Sequence, residues 1–79
     1  MKKFQISSSI NPSIIEIESN SIPQSLEIYY KTVLNLTYNP HQTDEILNDL
    51  ENQLVVHDSI DSLEFFTTIH NIEPTDLLS

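Results

Sequence analysis

The sequence predicts a single small α+β domain, residues 1–79, in which an N-terminal antiparallel β-hairpin, of two strands or three, packs against two or three helices. Three observations lead to this fold class. Apolar and polar residues alternate near the N-terminus, with the period typical of half-buried strands. Farther along, apolar residues recur with helical spacing. A chain of 79 residues also suits one domain with a small core.

The hairpin is predicted from two short segments with a period of two. In residues 3–10, apolar and small side chains alternate with polar ones. The Asn-Pro-Ser sequence at 11–13 supplies turn chemistry. In the segment that follows, Ile15 and Ile17 fall on one face and two glutamates on the other. A second strand that pairs with the first is therefore the simplest interpretation.

Residues 26–38 fit both a helix and a strand, and the sequence favours the helix. Either period gathers an apolar face, and the β-branched and aromatic content supports a strand. However, Ser21 or Ser25 can cap a helix start, and Glu27 and Lys31 have the spacing of an i,i+4 ion pair. The choice matters because it decides whether the sheet has two strands or three.

Two further helices are predicted in the C-terminal half. Residues 43–56 begin with Thr43 as a good N-cap, and their isoleucine and leucines form one apolar stripe. Residues 57–72 also place their apolar side chains on one broad arc. Because this segment contains adjacent phenylalanines and threonines, which disfavour helices, a strand from Leu63 to Ile69 is the alternative.

Glycine is absent from the chain, and this limits both turns and function. Tight hairpin turns use glycine for positive φ angles, so asparagine and aspartate are expected to replace it. Loops that cradle phosphates also depend on glycine. Nucleotide binding is therefore not expected.

Metal and cofactor sites are not expected either. The chain has no cysteine, which rules out disulfides, thiolate zinc ligands and cysteine nucleophiles. Its three histidines, His41, His57 and His70, match no metal-binding spacing. We expect no metal and no cofactor.

The N-terminus lacks the apolar core of a secretory signal, and no apolar run reaches the length of a membrane span. The sequence therefore predicts a cytoplasmic protein without a membrane partner.

Acidity is the strongest signal in the composition. The formal net charge is −9, and the only basic residues are the lysines at positions 2, 3 and 31. From Thr32 to Ser79 there are nine acids and no lysine or arginine. Such a field repels nucleic acid and anionic membranes and attracts basic surfaces. We therefore expect no direct contact with nucleic acid and a basic protein surface as partner.

The paired carboxylates do not indicate an enzyme. Acid–base catalysis needs two carboxyl groups in unlike environments, usually within a cleft. Acids along the exposed face of a helix in so small a domain offer no such cleft, and a solvated helix face explains them. The sequence predicts a binding protein.

The leading hypothesis is a stoichiometric inhibitor that occludes the basic nucleic-acid-binding surface of a nuclease or of a nucleic-acid-guided complex. Phage or mobile-element anti-defence proteins, such as anti-CRISPR inhibitors, and immunity proteins or antitoxins are the two contexts considered. The predicted binding residues are acids on the 43–56 helix and just beyond it: Asp44, Glu45, Asp49, Glu51, Asp58, Asp61 and Glu64.

The alternative hypothesis is a regulatory or scaffolding subunit that binds through an apolar face. Its expected anchors are four aromatic residues, since aromatic side chains dominate interface energies: Tyr29, Tyr30, Phe65 and Phe66. A homodimer is compatible with both hypotheses. The two differ in salt dependence, because only charge-mediated binding weakens steeply as ionic strength rises.

Overall fold

The computed structural model describes residues 1–39, 44–48, 51–73 and 75–76. Within these ranges the chain forms one antiparallel sheet and one helical segment. The elements are β1 (Lys2–Ser8), β2 (Ile15–Ser19), α1 (Ile22–Tyr29), a π-helical turn (Tyr30–Leu34) that continues α1, β3 (Asp44–Asn48), β4 (Gln53–Ile60) and β5 (Leu63–His70).

The sheet has the strand order β2-β1-β5-β4-β3. Hairpins join β1 to β2, β3 to β4 and β4 to β5, and all of these pairs are antiparallel. The central pair, β1 with β5, sets Ile6 opposite Ile69 and so connects the two ends of the chain. Because β1 and β5 meet in the middle, neither half of the sequence completes the sheet alone.

The predicted N-terminal hairpin is confirmed. Lys2 lies opposite Ser19 and Ile6 opposite Ile15, and the side chain of Phe4 is buried as the alternation indicates. The first strand ends at Ser8, two residues before the predicted limit, where a backbone hydrogen bond of 2.9 Å from Ser8 N to the Asn11 carbonyl begins the turn.

The helix interpretation of residues 26–38 is confirmed as far as residue 34. Ser21 is the N-cap and accepts a 3.3 Å hydrogen bond from Gln24 N. In return, the Gln24 amide oxygen accepts a 2.7 Å bond from Asn20 N, an arrangement close to a capping box. The helical segment stops at Asn35, whose φ of 57° is left-handed, so the last residues of the predicted range lie outside it.

The core lies between the sheet and the helix, with Tyr30 near its centre. The Tyr30 ring packs edge-on against Tyr38, with 5.1 Å between centroids, and at an interplanar angle of 51° against Phe65, with 5.5 Å between centroids. The buried apolar side chains are Phe4, Ile6, Ile17, Ile22, Leu26, Tyr29, Tyr30, Tyr38, Leu54, Val56, Phe65, Ile69 and Ile72.

The predicted helix over residues 43–56 is wrong. Asp44–Asn48 forms the edge strand β3, and β4 starts at Gln53 after a turn in which Asn52 has a φ of 51°. The apolar spacing in this segment suits a helix, but the adjacent Val55 and Val56 favour a strand. Pairing of β4 with β5 on its other side decides the outcome, because tertiary contacts override weak helix propensity.

The third predicted helix is also wrong, and the strand alternative is the one found. The chain turns at Asp61 and Ser62, whose φ angles of 51° and 68° are the signature of a two-residue type I′ hairpin. The fold is therefore a five-stranded antiparallel sheet with one helical segment, and not a hairpin against two or three helices. Because the turn at Asp61 and Ser62 contains no glycine, the usual sequence signal for a hairpin between β4 and β5 is missing.

Asparagine and aspartate do replace glycine, as expected. The positive-φ residues include Asn35, Asn52, Asp61 and Asn71, with φ between 51° and 57°. Their short polar side chains tolerate this conformation better than other side chains do. Ser62 is the exception to the expected residue types.

Candidate functional site: the open face of the sheet

The sheet has one covered face and one open face. The helical segment packs against the first, whereas no helix or strand among the described residues packs on the second. Register and burial place the following side chains on the open face: Lys3, Gln5, Ser7, Glu16, Glu18, Asp44, Gln53, Val55, His57, Ser59, Glu64, Phe66, Thr68 and His70.

An aromatic pair lies on this open face towards the β3 side. His57 on β4 and Phe66 on β5 are directly opposite each other, with ring centroids 4.8 Å apart and planes inclined at 32°. The Phe66 side chain is nevertheless 49% exposed. A large apolar ring therefore reaches solvent from a rigid strand.

Two carboxylates flank the imidazole of this pair. Asp44 Oδ2 lies 3.8 Å from His57 Nδ1, and Glu64 Oε1 lies 3.7 Å from His57 Nε2. Both carboxylates are largely exposed, at 86% and 73% of their side-chain surface. Asp44, His57, Glu64 and Phe66 together are called the aromatic–acid cluster below.

Strand register explains how the sequence builds this cluster. Asp44 is the cross-strand partner of His57, and His57 is in turn the partner of Phe66. Glu64 precedes Phe66 by two residues on β5, and residues two apart on a strand share a face. Three adjacent strands, β3, β4 and β5, therefore contribute side chains to the aromatic–acid cluster.

A polar network occupies the neighbouring part of the open face. Ser7 Oγ lies 2.8 Å from His70 Nε2, and Gln53 Nε2 lies 3.3 Å from His70 Nδ1. Since the glutamine amide donates to Nδ1, the proton of the neutral ring is on Nε2 and is donated to Ser7. His70 on β5 thus links Ser7 on β1 to Gln53 on β4.

One predicted binding residue is buried on the covered face. Asp58 is 3% exposed, and its carboxylate accepts a 2.5 Å hydrogen bond from the Tyr30 hydroxyl. That hydroxyl accepts a 3.2 Å bond from Thr67 Oγ1. Burial raises the pKa of Asp58, and burial together with the bond to Asp58 raises the pKa of Tyr30. Asp58 is therefore not presented to a partner.

The remaining predicted acids are spread around the β3 side of the sheet. Glu45 is exposed on β3 opposite Val56, so it belongs to the other face. Glu51 and Asp61 are exposed in turns, and Asp49 lies outside the described residues. Of the predicted acids, the structure therefore brings Asp44 and Glu64 together beside His57. The predicted row of acids along a helix does not form, because residues 44–48 are a strand.

The predicted aromatic anchors separate in the same way. Tyr29, Tyr30 and Phe65 are buried in the core, and only Phe66 is exposed. Sequence reasoning did not single out His57 as the residue that links the site. A period of two through residues 63–70 would have indicated that Phe65 points inward and Phe66 outward.

Among the described residues, no group of three or more histidine, aspartate or glutamate side chains is arranged to hold a metal ion. His57 and His70 engage the contacts given above, and His41 is outside the described ranges. No described helix has the length and apolar character required to cross a membrane.

Comparison of the chain with protein-family models, with curated proteins and with solved structures found no match.

Proposed function

We propose that this protein is a stoichiometric inhibitor that docks the β3–β4–β5 part of the open face of its sheet onto a basic, nucleic-acid-binding surface of a partner protein and occludes it. The observation that supports the proposal is the aromatic–acid cluster, an exposed phenylalanine beside two exposed carboxylates on an uncovered sheet. The partner class is a nuclease or a nucleic-acid-guided complex. The context is anti-defence, as for an anti-CRISPR inhibitor, or neutralisation of a nuclease by an immunity protein or antitoxin.

The positions of Asp44 and Glu64 suit binding to a basic patch on a partner protein. Asp44 and Glu64 stand on the strands to either side of β4, and strand spacing places those two strands about 9–10 Å apart. This separation is close to the screening length of about 8 Å at physiological ionic strength, so one basic patch can interact with both carboxylates. The strands fix the backbone positions of Asp44 and Glu64, so no backbone ordering is needed on association.

The overall charge supports the same partner. The chain carries −9, with no lysine or arginine after position 31. This charge opposes binding to nucleic acid itself and accelerates encounters with a basic protein. A surface that normally binds phosphates meets carboxylates with the same charge-assisted hydrogen bonds.

A second candidate is a regulatory or scaffolding subunit that binds through apolar contacts. Its specific support is a set of exposed apolar side chains in addition to Phe66: Ile10, Ile14, Leu47 and Leu63. These contacts differ from the first candidate in their response to salt, since burial of apolar surface is little affected by screening.

The test combines capture with matched charge reversal. Tagged protein is incubated with lysate of the source organism and eluted with a salt gradient, and the captured protein is then purified and assayed for nucleic-acid binding. Asp44→Lys/Glu64→Lys is compared with Glu18→Lys/Glu27→Lys. Both doubles change the net charge equally, but the control pair consists of exposed residues away from the cluster, on β2 and on the helix.

The expected result is a basic partner that is released as salt rises and that loses nucleic-acid binding at one equivalent of inhibitor. The Asp44→Lys/Glu64→Lys protein should lose capture, while the control double retains most of it. A partner that stays bound at high salt, and that both double variants capture as well as the wild type does, would overturn the inhibitor proposal and support the apolar interface.

A further inference from the structure

We infer that the aromatic–acid cluster is an arginine-binding site, in which a guanidinium group of the partner stacks on Phe66 and is held by the carboxylate of Glu64, while Asp44 adds negative charge on the other side of His57. The inference rests on the proposed function and adds to it the chemical identity of the group that is bound. It concerns four residues that lie on three adjacent strands.

The ring of Phe66 is accessible to a ligand. The imidazole of His57 packs against Phe66 at 4.8 Å, yet half of the Phe66 side chain remains exposed. An aromatic face with negative quadrupole attracts a cation within about 6 Å of its centroid. Arginine is the more frequent partner in such contacts because its planar group also stacks.

The carboxylates of Asp44 and Glu64 are accessible to a ligand. Their oxygens lie 3.7 and 3.8 Å from the imidazole nitrogens, beyond hydrogen-bonding distance. Both carboxylates are also mostly exposed, so their oxygens remain available to accept. A guanidinium has five N–H donors in a fixed plane and can satisfy a carboxylate through two bonds while it lies on a ring.

The charge and shape of the cluster favour an arginine side chain over the other groups that could bind there. A second copy of this chain would bring another −9 charge and the same carboxylates to the face, and like charges repel. An ammonium group could pair with the acids, but it lacks the plane that matches the ring and the two-bond geometry. The face therefore fits an arginine of a basic partner better than either.

A purely structural role for the pair makes a different prediction. Directly opposite aromatic side chains stabilise a sheet whether or not anything binds to them. If that were their only role, replacing Phe66 would change stability and leave ligand binding elsewhere unaffected.

The experiment is an amide NMR titration at low salt with three blocked peptides of sequence Gly-Xaa-Gly-Xaa-Gly, where Xaa is arginine, lysine or citrulline. The arginine peptide should shift amides of residues 44, 57 and 64–66. It should bind about two- to fivefold more tightly than the lysine peptide, because the planar guanidinium stacks on the ring and an ammonium does not. The neutral citrulline peptide should cause no comparable shifts.

Variants then separate the contributions. Phe66→Leu should remove the preference for arginine over lysine, whereas Phe66→Tyr retains it. Glu64→Gln should weaken arginine binding, and the matched control Glu18→Gln, exposed on the same face at the far edge, should not. The melting temperature of each variant shows whether it is folded.

Equal binding of the arginine and lysine peptides, or shifts spread over the whole acidic surface, would overturn the arginine site. The proposed inhibitor could still stand in that case, because salt-sensitive capture of a basic partner is measured separately. Conversely, site-specific arginine binding without capture of a basic partner would contradict the inhibitor and leave the site intact.

Discussion

The hydroxyl of Tyr30 donates a hydrogen bond to the buried carboxylate of Asp58, 2.5 Å away, and so connects the helical segment to β4. The same hydroxyl accepts a bond from Thr67 on β5. Three elements thus share one polar cluster within the core. The cluster orients the helix on the sheet, but it keeps an ionisable group out of water.

We predict opposite consequences for two replacements of Asp58. Asp58→Ala leaves the Tyr30 hydroxyl without its acceptor and should lower the free energy of unfolding by about 1–3 kcal/mol. Asp58→Asn keeps an acceptor and removes the buried charge, so at neutral pH it should change stability by less than about 1 kcal/mol. Urea unfolding of both variants beside the wild type measures the difference. Equal losses would contradict the role assigned to the hydrogen bond.

The pH dependence of Asp58→Asn follows from the raised pKa of the native carboxyl group. Burial is the main cause, and it makes the folded protein take up a proton at a higher pH than the unfolded chain, whose pKa is near 3.8. The free energy of unfolding of the wild type should therefore rise relative to that of Asp58→Asn as the pH falls from neutral, through the pKa of Asp58 in the folded protein, towards 3.8. A constant difference between the two over this range would show that Asp58 is not perturbed.

Ser62 in the β4–β5 turn provides a prediction about backbone strain. Its φ of 68° costs a non-glycine residue roughly 1 kcal/mol. We expect Ser62→Gly to stabilise the protein by about 0.5–1 kcal/mol, since relief of strain exceeds the added entropy of the unfolded chain. Ser59→Gly, at an exposed position within β4, is the control and should destabilise by a similar amount. Denaturation midpoints of the two variants that move in the same direction would contradict this account.

The N-cap of the helix should contribute measurably to stability. Ser21 accepts a hydrogen bond from Gln24 N at the helix start. Ser21→Ala should lower the free energy of unfolding by about 1 kcal/mol. Ser13→Ala, in the exposed β1–β2 connection, should have little effect. If circular dichroism melts of the two variants coincide, the cap contributes nothing measurable.

The first half of the fold was accessible from sequence because its signals are local. Period-two alternation predicted β1 and β2, and the serine cap predicted the helix that follows. The second half of the fold could not be predicted in this way, because the spacing of its apolar residues is compatible with a helix: Ile46, Leu47, Leu50 and Leu54. Only pairing between distant strands, such as Ile6 with Ile69, distinguishes the alternatives.

The candidate site shows the same limit. Asp44 and Glu64 were both predicted as binding residues from charge alone, and both remain on the surface. Their convergence around His57 depends on strand register, which sequence does not display. Asp58 was also predicted as a binding residue from charge, but it is buried, and Tyr30 supplies the hydrogen-bond partner that permits this.

The contact between the chain ends provides the last prediction. Lys2 Nζ lies 2.6 and 2.7 Å from the two carboxylate oxygens of Asp76, and Glu73 N donates a 2.7 Å bond to the same carboxylate. The hydrogen bond to Asp76 raises the pKa of Lys2 above 10.5. Burial alone would raise the pKa of Asp76, but the bonds from Glu73 N and Lys2 outweigh it and hold that pKa below 3.8.

The stabilisation from this contact should therefore be constant between pH 3.8 and 10.5. It should be lost as the pH falls through the lowered pKa of Asp76, or rises through the raised pKa of Lys2. Lys2→Gln should melt below the wild type within that window and approach it outside. Lys3→Gln is the matched control, because the ion pair of Lys3 with Glu16 at 3.7 Å, both side chains being largely exposed, should contribute less. If Asp76→Asn added to Lys2→Gln lowers the melting temperature by the full sum of the single effects, the two side chains are not coupled.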